Sequence, residues 1–368
     1  MSSKSMPKIP WVDLRPQTDA IRTELAARWA ELVDAGAFSG GPETARFEAE
    51  FASYLGVKHV VGCSDGTSAL VLALRASGIV PGDEVVTAPN SFFATAEAVA
   101  LAGARPVFAD LERGGPNLDP AAVAAALTPR TRAILAVHLT GRPAAIGALR
   151  EIADRNGLLL LEDAAQAHGA TLGGRRIGSL GAAAGFSFYP TKNLGAFGEG
   201  GAVATSDDRI AARARALRDH GQASRHRHDE LGYNARLDGL QSAVLRLKLS
   251  RLDAWNDERR ALAARYAALL AGLPVLLPSD PDDGRHVFHL YPLQTERRPE
   301  LERHLTEQGI QTSRHYPTPI HLQPAFAGLG YGAGAFPEAE RYADEQLSLP
   351  LYPGMAPELL AAYEGYKG

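Results

Sequence analysis

Residues 185–201 read GFSFYPTKNLGAFGEGG, and the place of Lys192 in that stretch decides how the whole chain is read. The apolar and aromatic residues Phe186, Phe188 and Tyr189 have the composition of a buried strand ending at Pro190. A lysine follows almost at once, leading into Leu194, Phe197 and the glycines Gly195, Gly198, Gly200 and Gly201. Lysine is costly to bury, so one at a strand end amid apolar sequence either snorkels to water or carries an amine that is used chemically. For a lone lysine the solvated side chain is the commoner outcome. What turns the reading lies upstream, where the apolar run Leu158 to Leu161 is tipped by Glu162 and Asp163. A strand-end amine and a strand-end acid together are what pyridoxal phosphate chemistry requires: an amine to hold the aldehyde, and an anion to keep the pyridine nitrogen protonated as electron sink.

Outward from these two segments, strand-like and helix-like stretches alternate. Strands are expected at His59 to Cys63, Glu84 to Ala88, Pro106 to Ala109 and Ala133 to His138. Helices are expected at Thr18 to Ala35, from Gly40 through Leu55, at Ala69 to Ala76, Pro120 to Leu127 and Ala145 to Asn156. The alternation predicts a mostly parallel sheet covered on both faces, whose binding residues gather beyond the strand ends. Leu237 to Leu270 reads as one long amphipathic helix joining a large domain to a smaller one, Val287 to Leu293 as a strand, and Pro299 to Gln308 as a helix. Glu358 to Gly368 reads as a short helix or loose tail.

The 368 residues, 45% hydrophobic, can bury a sizeable core, and a formal net charge of −4 argues against a general nucleic-acid binder. A single cysteine, Cys63, excludes an intrachain disulfide and a Cys-rich zinc site. With a polar stretch at Met1 to Lys8 and no run of about 18 apolar residues, the expectation is a soluble, cytoplasmic protein without membrane partners. The histidines of 220–228 sit beside arginines and are read as a solvated or anion-facing loop, so no metal is assigned. Gly66, Thr67 and Ser68 open a helix after a short strand, a place suited to a phosphate as well as to ordinary capping.

The segments DAAQAHG (163–169) and SFYPTKNLGAFGEGGA (187–202) resemble the signatures of the DegT/DnrJ/EryC1/StrS family of sugar aminotransferases, and the likeness runs from Ile9 to Pro350. It implies an aspartate-aminotransferase-like α/β fold of type I: a large domain at 24–245 with a mostly parallel mixed sheet between helices, and a smaller α+β domain from 1–23 and 246–368. It implies Lys192 as the catalytic amine carrying pyridoxal 5′-phosphate, with pyridoxamine 5′-phosphate as intermediate. Asp163 would meet the ring nitrogen, Gln166 the phenolic oxygen, Phe92 the ring face, and Gly66, Thr67, Ser68 and Ser187 the phosphate. Asp65 departs from the Ser or Asn that the family more often has before Gly-Thr. Asn234, in GYNARLD, would reach the cofactor of a neighbouring subunit, which implies a homodimer with shared active sites.

The implied reaction moves an amino group from L-glutamate to a keto group of a dTDP- or UDP-linked keto-deoxyhexose. Tyr189, together with His315, Tyr316 and His321 of HYPTPIH, would face the sugar. Tyr189 and that loop resemble members acting at C-3, and the alternative is a 4-keto sugar substrate. The family's sugar 3-dehydratases carry histidine at the lysine position, so Lys192 argues against that activity. A sugar-binding or regulatory protein on the same fold is the alternative from another class.

Overall fold

Seven short strands, most of them built from Val, Ile, Leu and Ala, form the central sheet of the computed structural model, which describes residues 9–355. They are β1 (His59–Cys63), β2 (Glu84–Thr87), β3 (Arg105–Phe108), β4 (Thr131–Val137), β5 (Leu159–Asp163), β6 (Ala183–Ser187) and β7 (Gly201–Thr205). Their order is β1-β7-β6-β5-β4-β2-β3, and β7 alone runs against its neighbours. Near-continuous apolar strands are what a sheet covered on both faces demands, because alternate residues point to opposite sides. Val86, Ile134 and Leu160 enter one core with Phe47, Phe51 and Leu55 of the helix Gly41–Leu55. Their neighbours Val85, Leu135 and Leu161 enter the other, with Leu70, Leu72 and Leu74 of the helix Gly66–Ala76, labelled α1 here.

The register carries the site. Val137 pairs with Asp163, Asp163 with Gly185, Ser187 with Gly201, and Gly201 with Cys63. The ends of β1, β4, β5 and β6 therefore emerge along one edge of the sheet. Close approach of α1 to that edge needs small residues: a Cβ on Gly185 would stand 2.6 Å from Leu70 Cδ2.

A separate core, including Ile9, Leu262, Tyr266, Tyr291, Leu293 and Leu349, surrounds the antiparallel pair β8 (Tyr291–Gln294) and β9 (Gln346–Leu349). Ile320, Phe326, Phe336 and Tyr342 fold back into the first core. Three expectations are corrected. The long helix 237–270 is two, α2 (Gly239–Leu249) and α3 (Leu252–Leu269), because Ser250 Oγ and Arg251 Nη1 both donate to the Leu247 carbonyl and end the first. The strand expected from Val287 begins at Tyr291, since Phe288 has φ +43° and its N–H donates to His286 Nδ1. The strand read as ending at Pro190 leaves the ladder at Ser187, where the chain turns so that Lys192 N–H donates to the Tyr189 carbonyl at 2.8 Å. The expectations for Met1 to Lys8 and Glu358 to Gly368 lie outside the described residues.

Phe51 is fully buried, with the rings of Phe186 and Phe188 at 5.1 and 5.6 Å. Phe51→Ala is expected to cost about 3–5 kcal/mol in denaturant unfolding. A loss below about 1 kcal/mol would mean that this collar does not hold the lysine-bearing strand.

Candidate active site

Lys192 follows β6 through a turn that Gly195 closes, packed so tightly on the Pro190 carbonyl that no Cβ fits there. The side chain lines a cavity of about 670 Å³. It is partly exposed to that cavity yet enclosed by protein, and its amine makes no hydrogen bond among the described residues. Removal from bulk water lowers its pKa from 10.5 to about 8, while the charge of Asp163 opposes the shift. Lys248 is also desolvated, with a pKa near 8, but its ammonium donates to the Gly195 carbonyl at 2.8 Å and lies 4.8 Å from the Phe197 ring centre. Lys192 lines the cavity; Lys248 does not.

Asp163 ends β5. Its Oδ2 accepts from Thr95 Oγ1 at 2.7 Å, and Oδ1 from the Ala165 N–H at 3.2 Å. Burial raises its pKa against those bonds and against the charge of Lys192. The preceding acid takes a different part, because alternation along the strand turns Glu162 to the opposite side. There it accepts from the N–H groups of Gly178, Leu180 and Gly181, and faces His138 Nε2 at 3.1 Å. One of two adjacent acids holds a turn, and the other faces the cavity.

The start of α1 supplies the third wall. Asp65 caps that helix: its Oδ1 accepts from the Ser68 N–H at 2.8 Å, and its Oδ2 from the hydroxyls of Ser64 and Ser68, each at 2.7 Å. The acid is thereby turned into its own helix end. The expectation that Ser68 faces the phosphate is corrected, since its hydroxyl is spent on Asp65 and it does not line the cavity. Gly66, Thr67 and Ser187 do line it. A Cβ on Gly66 would stand 2.5 Å from the Cβ of Ser187, so only glycine lets strand and helix meet here. First-turn N–H groups without intrahelical partners beside two hydroxyls form a donor set for an anion.

Gln166 is held by both ends, its Oε1 accepting from the Thr140 N–H at 2.6 Å and its Nε2 donating to the Tyr316 hydroxyl at 3.1 Å. Phe92 is 56% exposed, lines the cavity, and stands 5.6 Å from the Tyr316 ring. Phe93, by contrast, packs on Phe326 at the edge of the core. Tyr189 and His315 also line the cavity; His315 stacks on Trp11 at 5.4 Å and is kept neutral by burial, its pKa lowered to about 4.

His321 is a further correction. It is 1% exposed, lies away from the cavity between Phe108 and Phe336, and its Nε2 meets Glu340 Oε1 at 3.1 Å. Asn234 is exposed and does not line this chain's cavity. Sequence reasoning missed Thr95, Trp11, Arg259 and His289, all on the wall. Thr95 sits in the helix Ala94–Leu101, where it reads as an ordinary core-facing residue. Trp11 and His289 lie far from Lys192 in sequence on either side of it, and folding alone brings all three to one cavity.

An amine opposite a carboxylate, an anion-accepting helix start and an exposed aromatic face fit pyridoxal 5′-phosphate: Lys192, Asp163, Gln166, Gly66, Thr67, Ser187 and Phe92 are the groups that would hold it.

The model of the DegT/DnrJ/EryC1/StrS aminotransferase family matches residues 19–362. Among relatives, the dTDP-3-amino-3,4,6-trideoxy-alpha-D-glucose transaminase of Streptomyces venezuelae is 50% identical over 96% of this chain and 94% of its own. The UDP-N-acetyl-3-dehydro-alpha-D-glucosamine 3-aminotransferase of Acidithiobacillus ferrooxidans is 43% identical over 96% and 95%. The crystal structure of DesV from S. venezuelae, in complex with a ketimine intermediate, superposes with a TM-score of 0.94 at 49% identity, covering 97% of each chain.

Competitive labelling of the cofactor-free protein with acetic anhydride should show Lys192 becoming reactive with a midpoint near pH 8. An unfolded lysine keeps its proton to about 10.5, so between the two values the unfolded state binds more protons and native stability rises with pH. A labelling midpoint above 10 would show that the amine is not desolvated.

Proposed function

The chain belongs to the DegT/DnrJ/EryC1/StrS aminotransferase family, and from that premise we propose that it transfers an amino group from L-glutamate to the C-3 keto group of a dTDP- or UDP-linked keto-deoxyhexose. It is a pyridoxal 5′-phosphate-dependent transaminase. The observation that carries the reading is the desolvated Lys192 sharing one cavity with Asp163, whose charge acts on it. Amination at C-3 is favoured by the names of the two relatives, each a transaminase at that carbon.

When bound, pyridoxal 5′-phosphate would supply an aldehyde for the donor's nitrogen and an electron sink for the donor's Cα. The residues of the chain do the rest. Lys192 carries a proton whose affinity is tuned to neutral pH, so that it can accept and return it within one cycle. Asp163, fixed by Thr95 and Ala165, presents its carboxyl group to the cavity. Gln166, pinned at Thr140 and Tyr316, orients a polar oxygen. Gly66, Thr67 and Ser187 would hold the phosphate, and Tyr189, His315 and Tyr316, on the same cavity wall, would face the sugar.

The division expected at 245/246 is supported only in part: Ile9 and residues from Leu262 to Met355 share the core around β8 and β9, while Ile320, Phe326, Phe336 and Tyr342 pack with the large domain. Asn234, exposed and away from its own cavity, serves the partner's cofactor in a homodimer. The described residues include no helix long and apolar enough to cross a membrane, which fits a cytoplasmic enzyme.

Product analysis with paired 3-keto and 4-keto nucleotide sugars is expected to show at least about a hundred-fold preference in kcat/KM for the 3-keto substrates, because misplaced polar groups are rejected strongly. Equal rates or the reverse order would move amination to C-4. Asn234→Ala is expected to weaken cofactor retention on dialysis by about ten-fold, the loss of one or two charge-assisted bonds. Unchanged retention, or a monomer by light scattering, would exclude the shared site.

A further inference from the structure

His289 lines the same cavity as Lys192, is only 8% exposed, and takes no part in the chemistry described above. Its surroundings fix which ring nitrogen carries the proton. Asn193, the residue after Lys192, spends both N–H bonds of its amide, on Asn256 Oδ1 at 2.8 Å and on the Val287 carbonyl at 3.0 Å. Turning that amide over would set its oxygen against the Val287 carbonyl. Turning Asn256 over as well gives no relief, because Asn256 Nδ2 donates to the His168 carbonyl at 2.9 Å. Asn193 Oδ1 therefore stands as an acceptor 3.2 Å from His289 Nδ1, and Nδ1 must be the nitrogen that donates. A neutral imidazole protonated on Nδ1 has a bare lone pair on Nε2. Burial, and then the charges of Lys192 and Arg259, hold the pKa of His289 well below the ordinary range, so Nε2 stays bare. That atom makes no hydrogen bond among the described residues and is not sealed off by protein, so its lone pair opens on the cavity.

We infer that His289 Nε2 accepts a hydrogen bond from the sugar substrate, given by a hydroxyl or amide N–H on a carbon next to the keto group. This rests on the keto-sugar reading, and it names one contact of that substrate. An acceptor is satisfied only by a donor. Apart from its reacting nitrogen, an amino acid offers a carboxylate at the reacting carbon, and a nucleotide's diphosphate offers phosphate oxygens, all of them lone pairs without protons. A hexose differs, because the carbons flanking its keto group carry O–H or N–H groups. The bond to Asn193 ties the imidazole to the residue next to Lys192, where the reacting carbon must come. A buried acceptor left unpaired costs binding, so the site discriminates against a sugar that lacks the donor. His289 thereby sets specificity and moves no proton.

Nitrogen-15 NMR of the histidine-labelled, cofactor-free protein should show His289 protonated on Nδ1 and bare on Nε2 at neutral pH. The other tautomer, or an imidazolium, would overturn the inference. The second measurement is calorimetric binding of 3-amino sugar nucleotides to the pyridoxamine form, where two amines meet and no transfer occurs. The wild type should bind the parent compound about ten-fold more tightly than its 2-deoxy or its 4-deoxy counterpart, the effect of one lost hydrogen bond. His289→Asn keeps a donor for Asn193 but places nothing at the Nε2 position, and should bind parent and deoxy compounds within about two-fold of each other. His289→Gln puts an amide oxygen near the Nε2 position and should restore most of the preference. In both variants the L-glutamate concentration that half-discharges the visible absorption band should stay within about two-fold of the wild type; a ten-fold rise would move the contact to the donor and overturn the inference. Equal binding of the parent and both deoxy compounds by the wild type would overturn the inference alone, whereas binding of none of them would reject the keto-sugar reading along with it. A preference kept in His289→Asn and lost in His289→Gln would reduce His289 to a tie for Asn193.

Discussion

The structure depends on keeping one ammonium group out of bulk water while holding one carboxylate opposite it. Neither Lys192 nor Asp163 is comfortable alone in that cavity, since burial pushes the first pKa down to about 8 and the second up. Each limits the other's shift, and the result is an amine that can lose its proton near neutral pH and an acid that still attracts positive charge. The sheet makes this arrangement possible. Parallel strands in register deliver their carboxyl ends to one edge, and the single antiparallel strand β7 brings Gly201 to that edge from the opposite direction.

Steric economy at that edge is severe, which gives the glycines a physical meaning. Gly66 lets α1 close on Ser187, Gly185 lets Leu70 lie against β6, and Gly195 lets the lysine loop fold back on Pro190. A single added methyl at any of these points would separate the anion-accepting helix start from the amine. Their density in sequence marks close contact between backbones more than flexibility.

Much of this was legible in the chain itself. The apolar run tipped by an acid and the aromatic run followed by lysine gave both members of the central pair, because strand ends in such sheets are where polar groups emerge. What could not be read was which way side chains turn. Ser68 looks like a phosphate ligand until Asp65 is seen to take its hydroxyl, and His321 looks like a sugar ligand until Glu340 and Phe336 are seen to enclose it. Long-range partners were invisible for a different reason. Thr95 and Asp163 lie 68 positions apart, and Trp11 meets His315 only after the two ends of the chain are folded together. The long helix failed where two side chains compete for one carbonyl, a local event without periodic signature.

Two lysines in the described structure are desolvated to a similar degree, and only their surroundings separate them: Lys192 opens on the cavity, and Lys248 is locked to the Gly195 carbonyl. Peptide mapping after borohydride reduction of the protein loaded with pyridoxal 5′-phosphate tests that distinction directly. The account predicts one labelled peptide, carrying the cofactor on Lys192, and no label in Lys192→Ala. Label on Lys248, or labelling that survives Lys192→Ala, would contradict it.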